Sequence, residues 1–110
     1  MFIRMYTGDD NKTRLDEMDM DSGQYAFMSV QGASELEFRN NIQEDLGVWH
    51  NAPRRQWVIM LAGSSVTITA GDGSTRTLVA GDVLLAEDVT GQGHKTVVND
   101  GWPRVMIPID

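Results

Sequence analysis

The chain has 110 residues, 16 acidic against 9 basic, a formal net charge of −7 and no cysteine. That length bounds it to one domain, 1–110, with a single modest core, and the lack of cysteine excludes disulfides and thiolate-bound zinc. The negative balance opposes the phosphate neutralisation on which most nucleic-acid binding depends, and no apolar run approaches the roughly 20 residues of a spanning helix.

The opening MFIRMYTGDDNKTR has neither a sustained apolar stretch nor a small-residue cleavage pattern, so a cytoplasmic protein is expected. Beyond it the chain consists of short β-rich runs punctuated by glycine turns, with almost no 3.6-residue period, which points to an all-β fold. In LDEMDMDSGQ the acidic Asp16, Glu17, Asp19 and Asp21 are interleaved with Met18 and Met20. A calcium loop needs ligands at alternate positions and then a glycine at position six, and no alignment of this segment supplies both. A solvated turn is expected instead. QYAFMSVQG and ELEFRNNI follow as two strands about Gly32-Ala33-Ser34, with Leu36 and Phe38 on one face.

VWHNAPRRQWVIMLAG reads as a strand interrupted at Pro53, then an apolar run from Trp57 to Leu61 closed by Gly63. Both alternating faces of that run are apolar, so it should be covered on both sides, as in a barrel or sandwich core. SSVTITAGDGSTRTLV is a hairpin, because Asp72-Gly73 supplies a turn able to take positive φ between two Thr/Val/Ile segments. AGDVLLAED adds a turn and a strand. KTVVND and PRVMIPID are short strands joined at Asp100-Gly101, with Pro103 and Pro108 suggesting edge positions.

His50 and His94 are the only histidines, and each heads a strand-like segment. Even spacing along a strand would place His50, Ala52 and Gln56 on one face. With these residues in place, 47–99 resembles the cupins, specifically the small single-domain ones. The first cupin motif, G-x5-H-x-H-x3,4-E-x6-G, is similar to His50-Asn51-Ala52, then Gln56 and, after six intervening residues, Gly63. The second, G-x5-P-x-G-x2-H-x3-N, resembles Gly81 through Asn99, and residues 64–80 between them accommodate one hairpin. The chain departs from the pattern at Ala52 for the second histidine, Gln56 for the glutamate and Glu87 for the proline. It also has a loop two residues longer before His94, and Asn99 is displaced by one.

The resemblance implies an antiparallel double-stranded β-helix, a jelly-roll barrel or sandwich, and a homodimer. It also implies a divalent ion (manganese, iron, nickel or zinc) at His50, Gln56 and His94. Two imidazoles and a carbonyl oxygen can hold such an ion with positions left for water. The activity would then be that of a dioxygenase, isomerase, decarboxylase or lyase acting on a small polar or anionic organic compound. Without metal, His94 could act as a general base, with Glu87 or Asp88 orienting it or acting as acid or base. The cavity would then serve a metal-free binding or sensory module; a scaffold unit would have no cavity.

Arg54 and Arg55 lie between the proposed ligands, and one guanidinium facing inward would fork a carboxylate or phosphate. In the competing reading both pair with surface acids. Met60 and Val58 are expected on the pocket wall; Trp57 and Trp49 belong to the core or to a subunit contact. Gly71-Asp72-Gly73 and Gly91-Gln92-Gly93 lack the helix and Lys-Ser/Thr pair of a phosphate loop, and no serine has a nucleophile-elbow context.

Overall fold

Period-two alternation, with one apolar face per strand turned to a common interior, organises the chain into two layers. The computed structural model describes residues 1–18, 35–40 and 47–109. These carry β1 (Phe2–Thr7), β2 (Thr13–Glu17), β3 (Glu37–Arg39), β4 (Gln56–Met60), β5 (Ser65–Thr69), β6 (Thr75–Val79), β7 (Val83–Glu87), β8 (Lys95–Val98) and β9 (Arg104–Pro108). A six-stranded sheet has the order β2-β1-β7-β4-β9-β3, and a three-stranded sheet the order β6-β5-β8. The expected all-β class holds: among the described residues there is no helix, and none long and apolar enough to cross a membrane.

The core lies between the layers. Ile3 and Met5 of β1, Leu15 of β2, Val58 and Met60 of β4, and Leu84 and Ala86 of β7 meet Val66 and Ile68 of β5 and Leu78 of β6. Each fully buried Val, Leu, Ile or Met side chain contributes roughly 1.5–3 kcal/mol. On the opposite face of the larger sheet, Phe2, Trp57 and Leu85 form a second cluster, with the Phe2 and Trp57 ring centres 5.3 Å apart. This accounts for the two apolar faces of the 57–61 run: Val58 and Met60 serve one cluster and Trp57 the other.

The 64–79 hairpin forms as expected, with Gly73 at φ +89° and the Asp72 carboxylate accepting from the Ser74 amide and hydroxyl. Several expectations need correction. The opening residues, read for targeting signals, form β1 and β2, and Asp16 and Glu17 lie in β2 rather than in a turn. Asp19, Asp21 and the strand expected at 24–32 lie outside the described residues. β1 pairs with β7 in parallel, so the sheet is not wholly antiparallel. β8 and β9 belong to different sheets, and β9 sits between β4 and β3, so Pro103 and Pro108 do not mark an edge. Pro103 precedes the strand and Pro108 ends it, where a missing amide interrupts little of the ladder. Leu36 and Phe38 share the exposed side at β3; the polar neighbour Arg39 faces the interior cavity instead.

Gly93 provides a test of the joint between the layers. It has φ +83°, and a Cβ there would overlap the carbonyl of His50. Gly93→Ala should cost about 3 kcal/mol or more, strain and clash together, whereas Gly73→Ala, with positive φ but open space around it, should cost about 1–2 kcal/mol. Urea denaturation of the two variants checks this; equal losses would refute the close approach.

Candidate functional site

The site is built where the chain passes between the layers. His50 and His94 form a single antiparallel bridge outside the named strands. The His50 amide donates to the His94 carbonyl at 2.9 Å and the His94 amide donates back at 2.8 Å. Directly opposed residues project their side chains to the same side, and here the imidazole centres lie 4.5 Å apart at 55°. The sequence expected His50 within a strand shared with Gln56. Instead residues 51–55 form a loop and β4 begins at Gln56. The bridge, rather than strand parity, brings His50 into the site.

Both rings are oriented through Nδ1. His94 is 6% exposed, and its Nδ1 lies 2.5 Å from Oδ2 of Asp88, which is wholly buried. His50 Nδ1 lies 2.9 Å from the Val48 carbonyl oxygen. A carbonyl or carboxylate oxygen only accepts, so each neutral ring carries its proton on Nδ1 and its lone pair on Nε2. Asp88 does more than orient His94. The same Oδ2 accepts from the Thr13 hydroxyl at 3.0 Å, and Oδ1 accepts from the Ala52 amide at 3.3 Å.

Both rings line a cavity of about 100 Å³ between the sheets. Gln56 and Val58 line it too, and Trp102 and Met106 supply apolar wall. Such a volume is below the roughly 300–1,000 Å³ of sites for drug-sized ligands, which restricts an occupant to a small molecule.

Other expected residues lie elsewhere. Glu87 does not line the cavity; it pairs at 2.8 Å with both Arg4 and Arg55. Asp88 is the carboxylate on His94, and strand parity gives the reason. Leu84 and Ala86 of β7 face inward, so the next residue in that series is 88, and Glu87 turns to the other side. Arg54 is turned to the surface acids, with Nη2 at 2.8 Å from Glu35 and 3.4 Å from Glu37. Met60 shares the inward face of Val58 but lies in the core, 1% exposed, where its sulfur accepts the Trp102 indole N–H at 3.3 Å.

Three residues at the site were not singled out from the sequence. The Asn51 carboxamide donates to the carbonyls of Thr90 at 2.8 Å, Gly91 at 3.1 Å and Asp88 at 3.2 Å, pinning the long loop ahead of His94. Arg39 and Arg104 are cross-strand partners on β3 and β9, and both line the cavity. Arg104 is 2% exposed, stacks over Trp102 with 3.9 Å between guanidinium carbon and ring centre, and donates to the Trp102 carbonyl at 2.9 Å. Burial, and then the charge of Arg39, push its pKa down to about 10.

Among the described residues no group of three or more His, Cys, Asp or Glu side chains gathers as a metal cluster. An ion here would take Nε2 of the two imidazoles and the Gln56 amide oxygen. With metal–nitrogen bonds of about 2.1 Å, two imidazoles on one ion place their centres roughly 4.5–5 Å apart, which the observed spacing matches. Two imidazole nitrogens and an amide oxygen are donors of a kind that can hold a divalent ion with open positions. No family model, no curated protein and no solved structure matches the chain.

The Asp88 network should respond to a single-atom change. Asp88→Asn should lose about 2 kcal/mol or more in chemical denaturation, since one amide oxygen cannot accept all that the carboxylate accepts. In the unsubstituted protein, ¹⁵N NMR of the neutral imidazoles should show protonation at Nδ1 for both rings. Protonation at Nε2 of His94 would refute the assignment.

Proposed function

We propose that this chain is a cupin-like, divalent-metal-dependent protein that acts on a small organic molecule in the cavity between its sheets. One observation carries the reading: two imidazoles, each with Nδ1 engaged by an acceptor, stand 4.5 Å apart on the wall of one cavity with both Nε2 lone pairs uncommitted to those acceptors. Engagement of the remote nitrogen is the usual companion of imidazole metal ligation, because it fixes the tautomer and raises ligand basicity. The two-layer all-β architecture supports the jelly-roll part of the reading.

In this assignment His50, His94 and Gln56 hold the ion. When bound, it supplies Lewis-acid polarisation of an oxygen on the organic molecule. The protein's own groups set the stage. Asp88 keeps the His94 proton on Nδ1, Asn51 fixes the loop that delivers His94, and Val58, Trp102 and Met106 exclude water from one side of the molecule. A second reading, a metal-free binding module using the same cavity, is favoured by Ala52. It is 5% exposed and packed in the core, where the cupin motif has a ligand.

Metal analysis separates the two. Protein purified without chelator, or reconstituted with manganese, iron, nickel or zinc, should hold one ion per chain by mass spectrometry. His50→Ala and His94→Ala should each abolish that stoichiometry, and Gln56→Ala should weaken affinity roughly tenfold or more. Failure of the unsubstituted protein to take up any of the four ions would leave the metal-free module.

A further inference from the structure

The cavity is also lined by two cations. Arg39 and Arg104 are directly opposed across the β3–β9 ladder, and both guanidinium-bearing side chains line the same cavity as His50 and His94. Like charges opposed across a ladder destabilise a sheet, and burying a guanidinium carries a further desolvation cost. Glu37 offsets part of that cost at Arg39, and a guanidinium on a cavity wall still has donors to offer an anionic ligand. The fold also holds the pair in place. Arg104 is clamped by the Trp102 ring and carbonyl, and Arg39 is gripped through Nε and Nη2 by Glu37, at 2.7 and 2.6 Å from Oε2. These contacts fix two planar donors before any ligand arrives, which lowers the ordering cost of binding.

We propose that Arg39 and Arg104 form the subsite for the carboxylate of a small organic acid, whose other end reaches the His50–His94 pair. Three observations choose this ligand class. The guanidinium plane matches a carboxylate in a two-pronged contact, which a neutral oxygen does not reproduce. The apolar wall of Val58, Trp102 and Met106 suits a short carbon skeleton, and the volume of about 100 Å³ leaves room for only a few heavy atoms. Arg104 also stays protonated at neutral pH although burial and Arg39 lower its pKa to about 10. The proposal rests on the cavity being a small-molecule site; it does not require the ion.

The test therefore uses metal-free protein, with malonate as the probe, its diamide as the uncharged counterpart and inorganic phosphate as the competing anion, read by calorimetry. Malonate should bind, malonamide at least tenfold more weakly, and phosphate more weakly than malonate. Arg104→Lys, which keeps the charge and loses the fork, should weaken malonate binding at least tenfold, and so should Arg39→Gln. Arg76→Gln, on β6 and outside the cavity lining, should leave it unchanged. A thermal melt confirms that each variant is folded; should Arg104→Lys not fold, the half-exposed Arg39 carries the test alone. Malonate that fails to bind, or binds no better than malonamide, or is indifferent to Arg39→Gln, overturns the subsite. Preferential binding of phosphate overturns the carboxylate assignment. Neither result bears on metal uptake, so the ion and the anion subsite fail independently.

Discussion

One buried carboxylate ties the molecule together. Asp88 follows the last residue of β7, accepts from Thr13 at the start of β2 and from the Ala52 amide ahead of β4, and meets the ring of His94 just before β8. An anion removed from water persists only when its lone pairs are filled by donors in good geometry. That requirement fixes four pieces of chain relative to one another. The long loop between Asp88 and His94 has its own restraints: Asn51 and Thr7 hold its carbonyls and the Gln92 amide donates to Asn11. The chain crosses from the six-stranded sheet to the three-stranded one through this restrained loop.

The cavity beside this joint is lined by unlike groups. Two imidazoles share a backbone bridge and have their outer nitrogens engaged by Asp88 and the Val48 carbonyl. Two arginines face each other in register across β3 and β9. Apolar side chains from both layers line the same space. Low dielectric strengthens every charge interaction in such a space, so fixed polar groups there act on a ligand more strongly than the same groups would at the surface.

Much of the fold was legible. The apolar run at 57–61, the 64–79 hairpin with its Asp72-Gly73 turn and the strand after Gly81 all follow from alternation and turn chemistry, since those signals are local. The edge order was not legible: β1 and β2 carry few uninterrupted apolar residues, and the parallel pairing of β1 with β7 joins segments from opposite ends of the chain. At the site, His50, Gln56, Val58 and His94 could be selected from residue type and position. Residue type alone offers Glu87 and Asp88 alike as partners of His94, and counting by twos from Leu84 and Ala86 selects Asp88. Arg54 lies between the two histidines in sequence, but its charge goes to Glu35 and Glu37.

The sequence by itself determined the class of structure and the turns, because side-chain periodicity and glycine conformations act over a few residues. It also supplied the two imidazoles. Only the tertiary structure decided which cations share a cavity with them: Arg39 and Arg104 are far apart in the chain and become neighbours through the β3–β9 register. It likewise decided that Asp88 would be the buried acceptor, because its donors Thr13, Ala52 and His94 come from segments that only long-range strand pairing brings to one point.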